Sequence, residues 1–444
     1  MSEQRIRIVE ELRRLGHLAG PLIAHNVAMA AMMFVDTVMA GHLSATDLGA
    51  VAVGSAVFWP AFGFVMGLLM ALTATVAHLY GAGATSRIGH YLRQANWLAL
   101  VCALLGAALF WSVEPLLVMI GTAPELVPRT AGYLQALSLG MPAVCLYQVQ
   151  RYTSEGVGRT SPLIGMAVIG VVCNVFGNWV FMWGNLGAPQ LGATGCGLAT
   201  ALSWWVMYFA LRRHLRRHPY YASFDLVAPL ERPAWPELRE LAVLGAPIGV
   251  MVFMESSLFA AAALILGTLG AEVVAGHQIA LNWAAFMFMV PLGLGMAATI
   301  RVGHANGAGD RSAARFRGWV GIAAAVGFMA CSALFVLLAR GAIVAVYTRD
   351  EAVAAVAYAL LVWAAAFQLA DGIQVSAASV LRGYKDTQLP AAITVFAYWG
   401  VGLPLCWWLG LELGLGPEGV WMGLTASLMS AASLLLWRFA RISR

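Results

Sequence analysis

The chain alternates long apolar runs with short polar breaks. The runs are about 20 residues or longer, enough for a helix rising 1.5 Å per residue to cross a ~30 Å hydrocarbon core. Twelve spans are predicted, at 17–40, 48–79, 93–113, 128–150, 161–184, 190–211, 241–267, 274–303, 317–339, 353–379, 389–411 and 419–438. Ahead of them, "MSEQRIRIVEELRRL" is charged and amphipathic. It reads as an arm, 1–16, lying on the membrane surface, and no small-x-small cleavage site follows it. The expected fold class is therefore all-α: a polytopic membrane protein with 12 transmembrane helices.

The pattern also repeats. Shifted by 226 residues, Glu11–Gly83 matches Glu237–Gly309 without gaps at 20 of 73 positions, among them Pro21/Pro247, Gly41/Gly267, Thr73/Thr299 and His78/His304. Farther along, Gln148 pairs with Gln374, and Gly197-Leu198 with Gly423-Leu424. The expected organisation is two pseudo-symmetric six-helix bundles, 17–211 and 241–438, joined by a cytoplasmic linker at 212–240 and followed by a tail at 439–444. Six spans per bundle is an even number, so both enter the membrane in the same direction. Two such bundles about a central cleft suit alternating access.

Composition and charge sharpen this reading. The chain is 61% hydrophobic and 11% charged, too apolar for a soluble domain. With both termini in the cytoplasm, 23 of 26 Lys and Arg fall inside, leaving Arg129, Arg340 and Arg349 outside. The net charge of +5 thus sets topology and calls for no nucleic acid. "RRHLRRH" (212–218) reads as a solvated loop, although His214 and His218 stand at i,i+4. The six cysteines lie in apolar segments without CxxC spacing and read as packing residues.

Three acids interrupt the spans: Asp36, Glu255 and Asp371. An ionisable group at a span centre costs roughly 2.5–3.5 kcal/mol on insertion scales. The sister repeat has Ala262 opposite Asp36, Met29 opposite Glu255 and Cys145 opposite Asp371. The fold can therefore be built without an acid at each place, which argues for a mechanistic role. A carboxylate isolated from water takes up a proton or binds a cation. Asn174 and Asn178 share a helix face at i,i+4, and Thr200 adds a hydroxyl in the same bundle; in the other, Gln278 and Asn282 are also i,i+4. The segment "FMFMVPLGLGM", with Phe286, Met287, Phe288 and Met289, could line an adaptable cavity or face lipid. Pro21 and Pro247 mark either static kinks or hinges.

"FVDTVMAG", the "AP" followed eight residues later by a glutamate, and "LRGYKDTQLP" resemble the multidrug and toxic compound extrusion (MATE) transporters of the NorM-type branch. The resemblance implies a V of two six-helix bundles that exports amphipathic, often cationic compounds as Na⁺ or H⁺ flows inward, in a bacterial inner membrane and as a monomer without cofactor. It also implies one cation site at Asp36, Asn174, Asn178 and Thr200, and another at Glu255 and Asp371 with Asn282. Phe367 stands where some sodium-linked relatives have tyrosine, and Asn178 where a proton-linked branch has an acid. The Glu255–Asp371 pair tips the reading towards Na⁺, with H⁺ the alternative. A lipid-linked precursor flippase of related architecture would want arginines in its cavity, and the predicted spans carry none away from their ends. An intramembrane enzyme would want a motif such as HExxH or GxSxG, and neither is present.

Overall fold

The structure, a computed structural model, describes residues 3–226, 228–229 and 231–444, without the side chains of Glu3 and Gln4. Met1 and Ser2 of the expected arm, and Val227 and Leu230 of the expected linker, lie outside the described residues. The elements are α1 (Glu3–Leu43), α2 (Ala45–Gly81), α3 (Ser86–Trp111), α4 (Glu114–Met119), α5 (Val127–Ser138), α6 (Met141–Gly156), α7 (Pro162–Phe181), α8 (Ala193–Arg217), α9 (Trp235–Gly267), α10 (Ala271–Gly307), α11 (Arg311–Tyr347), α12 (Glu351–Gly383), α13 (Gln388–Val395), α14 (Leu403–Trp407) and α15 (Gly416–Ile442). Two π-helical stretches, Phe396–Gly402 and Trp408–Glu412, flank α14 and join it to α13 in one long crossing.

Among the described residues, ten of these helices and the continuous Gln388–Glu412 crossing, eleven stretches in all, are long and apolar enough to cross a membrane. The predicted fourth span is the remaining one. It is broken at Leu139–Gly140 into α5 and α6, with Pro142 in the first turn of α6, so neither piece spans alone. Large apolar side chains such as Leu338 (79% exposed) and Val346 (83%) face outward. Only a hydrocarbon surrounding makes that surface inexpensive.

The chain forms two compact units. The first is Ala24–Gly249; the second joins the residues up to Ile23 to Val250–Arg444. The expected bundles began and ended elsewhere, because the boundaries cut through α1 and α9. The two cuts, after Ile23 and after Gly249, are 226 residues apart, so they obey the sequence repeat. Each falls two residues past a proline inside the helix, Pro21 in α1 and Pro247 in α9.

The same repeat governs the packing. In the first unit a Cβ on Gly67 would lie 2.6 Å from the Gly249 Cα, so α2 meets α9 backbone to backbone. In the second unit the equivalent Gly293 of α10 packs on Ile23 of α1, where a Cβ would lie 2.4 Å from Cγ1. Gly83 and Gly309, the last residues of the matched stretch, both take positive φ, +70° and +77°, which glycine adopts without a Cβ penalty.

Two expectations need correcting. The arm 1–16 is not a separate surface segment, because its described part is the start of α1. Glu11 is buried there and accepts hydrogen bonds from Nε and Nη2 of Arg301, the first at 2.8 Å. "RRHLRRH" is not a loop either: Arg212–Arg217 are the last turns of α8, and the His214 and His218 rings lie 5.2 Å apart, tilted by 39°. The described part of the linker beyond them is strapped to α3. Arg93 binds Glu231 and the Asp225 carbonyl, Gln94 bonds the backbone of Arg232 and Ala234, and Trp97 donates to the Glu231 carbonyl.

Candidate functional site

In the first unit, three helices bring four of the predicted residues together. Asp36 is buried on α1, in a stripe that also buries His25, Met32 and Ala40. Asn178 of α7 donates to its Oδ1 at 2.7 Å, and Thr200 of α8 donates to its Oδ2 at 3.1 Å. Asn174, one turn before Asn178, donates to the Thr200 hydroxyl at 3.0 Å and accepts from Asn178 at 3.3 Å. The i,i+4 spacing of the two asparagines is what lets both face α1 and α8.

Every donor in this cluster serves the carboxylate or supports a group that does, so a charge on Asp36 is held by charge-assisted bonds. One acceptor is left over, because Asn178 Oδ1 is buried with no partner among the described residues. An unused carbonyl oxygen beside a carboxylate can ligate a small cation, or accept the hydrogen of the protonated carboxyl. The donor set therefore fits either Na⁺ or H⁺.

The second unit is arranged differently. Glu255 of α9 and Asp371 of α12 lie within electrostatic range of one another, and no hydrogen bond among the described residues satisfies either carboxyl. Tyr398, in the π-helical stretch Phe396–Gly402, is within range of both, and its buried hydroxyl has no partner among the described residues. A π-turn widens the helix by one residue and often marks functional positions. The stretch is fastened beside Glu255, since Trp399 donates to Ser257 at 3.1 Å.

The remaining predicted residues make no hydrogen bond to the acids among the described residues. Gln278 and Asn282 are exposed on one face of α10, and no hydrogen bond among the described residues links Asn282 to Glu255 or Asp371. Phe286 continues that face at 59% exposure, while Met287, Phe288 and Met289 are half-buried. Phe367 is buried in an aromatic group and brings no oxygen to Asp371.

Sequence reasoning also missed groups. Arg151, one residue past the predicted fourth span, was not expected to be buried. It is 4% exposed on α6 and pairs at 2.6 Å with Glu155, itself fully buried. The i,i+4 spacing in "QRYTSEG" carried that signal, and ending the span at residue 150 hid it. His25 stacks on Tyr147 in the same unit, with its Nε2 unpartnered among the described residues. Tyr398 was passed over because nothing in "FAYWGVG" marks a π-turn.

Comparison with known proteins fits this geometry. The MatE family model matches the chain twice, over 21–180 and 247–408, and the two matches start 226 residues apart, at Pro21 and Pro247. Multidrug resistance protein PmpM of Pseudomonas aeruginosa is 44% identical, covering 99% of this chain and 93% of its own. A probable multidrug resistance protein NorM of Xanthomonas campestris is 42% identical over 99% of this chain and 96% of its own. Among solved structures, the eukaryotic MATE transporter AtDTX14 superposes with a TM-score of 0.89 at 19% identity, covering 98% of this chain and 99% of that one.

Proposed function

The chain belongs to the MatE family, and on that premise we propose that it is a secondary active exporter of amphipathic, often cationic organic compounds, driven by inward flow of Na⁺ or H⁺. The names of its relatives, multidrug resistance proteins, support the substrate class. The observation that carries the reading is Asp36: a buried acid, absent from the sister repeat, held by donors from α7 and α8. A fold needing only packing would place Ala there, as it does at Ala262.

In this reading Asp36 with Asn174, Asn178 and Thr200 forms one coupling site, and Glu255 with Asp371 the other. Tyr398, within electrostatic range of both acids, joins the second site. Gln278, Phe286, Met287, Phe288 and Met289 border the drug path on α10. Ion and drug are coupled because each favours a different state of the transporter, and a ligand shifts that balance only by its differential affinity. The prolines at the unit boundaries, Pro21 and Pro247, are where α1 and α9 bend between those states. The positive-inside asymmetry supports cytoplasmic termini, and the bacterial multidrug relatives support an inner-membrane location.

The test uses the purified protein in liposomes, with drug movement followed under an imposed Na⁺ gradient and, separately, an imposed pH gradient. Drug movement under at least one gradient is expected. Failure under both defeats the antiporter reading.

A further inference from the structure

Beyond the two acids, the second unit contains an arrangement that the proposed function does not yet use. Phe259 lies one turn beyond Glu255 on α9, and Phe367 one turn from Asp371 on α12. The two rings meet edge to face at 5.9 Å. Trp421 of α15 closes on Phe367 at 5.6 Å, and its indole N–H donates to Nδ1 of His277 on α10 at 3.2 Å. His277 is completely buried. With both termini inside, Phe259 and Phe367 each stand one helical turn to the outer side of their acid.

The hydrogen bond fixes the state of the imidazole. An indole N–H can only donate, so Nδ1 offers its lone pair and the ring proton sits on Nε2. That Nε2 is buried with no acceptor among the described residues, so the histidine is held from one side only. The charged groups at this end of the surrounding helices are Glu272 on α10, Arg340 on α11, Glu351 and Asp371 on α12, and Glu418 on α15. Tyr398 lies in the neighbouring π-turn. None of them is hydrogen-bonded or ion-paired to the imidazole among the described residues.

The sister repeat again separates fold from mechanism. At the equivalent positions it has Val51 for His277, Gly195 for Trp421, Met141 for Phe367 and Met33 for Phe259. All four are unshared, as Glu255 and Asp371 are. A packing role for the layer is thus as dispensable to the fold as the acids themselves.

We propose that His277 is a proton-operated latch on an aromatic lid, formed by Phe259, Phe367 and Trp421, over the Glu255–Asp371 site. A proton from the outer solution adds to the Nδ1 lone pair and makes an imidazolium with N–H groups at both ring nitrogens. The indole N–H of Trp421 then faces another donor, and the bond that positions it is lost. Released, Trp421 no longer holds Phe367, and the way to the two carboxyls opens. Loss of the proton restores the acceptor and closes the lid. His277 is a positioning residue in this scheme, because it acts through Trp421 and touches neither ion nor drug. The inference rests on the proposal that Glu255 and Asp371 bind the coupling cation.

The experiment follows drug export in liposomes while the outer pH is stepped at constant driving force, either a Na⁺ gradient at fixed inner pH or a pH gradient held constant by stepping the inner pH alongside. Above its midpoint pH a single latch opened by one proton lowers the rate by up to about tenfold per pH unit, and below the midpoint the rate levels off. In His277→Gln the amide oxygen can hold the indole N–H but cannot take up a proton, so this outer-pH dependence should collapse to under about twofold. In Trp421→Phe the bond is absent at every pH, and the profile should flatten with export retained. A wild-type profile in either variant overturns the latch, and Trp421→Phe decides alone if His277→Gln does not fold. Asp371→Asn separates the two levels. If it leaves coupling intact, the assignment of Glu255 and Asp371 as a coupling site has failed, and the latch with it. If it uncouples while the His277 and Trp421 variants keep the wild-type profile, only the latch is wrong.

Discussion

Asp36→Asn tests whether the first-unit cluster binds an ion or merely packs. The carboxylate accepts from Asn178 at 2.7 Å and from Thr200 at 3.1 Å. In the variant the amide oxygen can still accept from Asn178. Its NH₂ then faces Thr200, whose hydroxyl can rotate to accept. Two charge-assisted bonds become neutral ones, a loss of roughly 1 kcal/mol each and about 2 kcal/mol in all. Thermal unfolding in detergent should therefore show only a few degrees of change. The ion loses far more. A unit charge about 4 Å from a cation, at an effective dielectric near 20, contributes about 4 kcal/mol, or roughly a thousandfold in affinity. Ion-driven transport in liposomes should fall to background while the protein remains folded. Near-normal coupling in Asp36→Asn would falsify the assignment. Wholesale unfolding would also count against it, because the cost would then be structural and far above the estimate.

Other expectations follow from the packing. Gly67→Ala puts a methyl 2.6 Å from the Gly249 Cα, and the two backbones must part; a loss of about 1–3 kcal/mol in stability is expected, whereas Gly165→Ala, with open space around it, should be close to neutral. Glu11→Ala leaves the partly buried Arg301 without its counter-charge, at a cost of roughly 3–5 kcal/mol if the site stays closed to water. Faster amide exchange in the first turns of α1 would show it, and unchanged exchange would contradict the pairing. The strap on α3 should respond to acid in a defined direction. Hydrogen bonds from His90 and then Arg93 hold the Glu231 carboxyl below the usual carboxylate range. Its stabilising effect is thus complete above that range and is lost only as pH falls through the lowered value. Amide protection of the linker, read by a fixed-pH exchange pulse after incubation at each pH, should persist down to about pH 4. Release at pH 6 would refute this account of Glu231.

Much of this was legible along the chain, because a helix that spans lipid must satisfy its own backbone and be apolar for about 20 residues, whatever its neighbours. The positions of the twelve crossings, the 226-residue repeat and the three unshared acids follow from that rule and from comparing the halves. So does the pairing of Asn174 with Asn178, since i,i+4 geometry is local. Only the tertiary structure showed that Asp36 meets groups 142 and 164 residues away. It alone showed that α1 and α9 are divided between the two units. It buried Arg151 with Glu155, left Asn282 exposed on α10 and joined His277 to Trp421 by a hydrogen bond. The physical reason is the solvent. In water an amphipathic stripe points to the core, but in lipid the outward and inward faces of a helix are both apolar. The pattern then fixes where a helix runs and leaves its partners to close packing, which glycines such as Gly67 and Gly293 permit and single polar contacts complete.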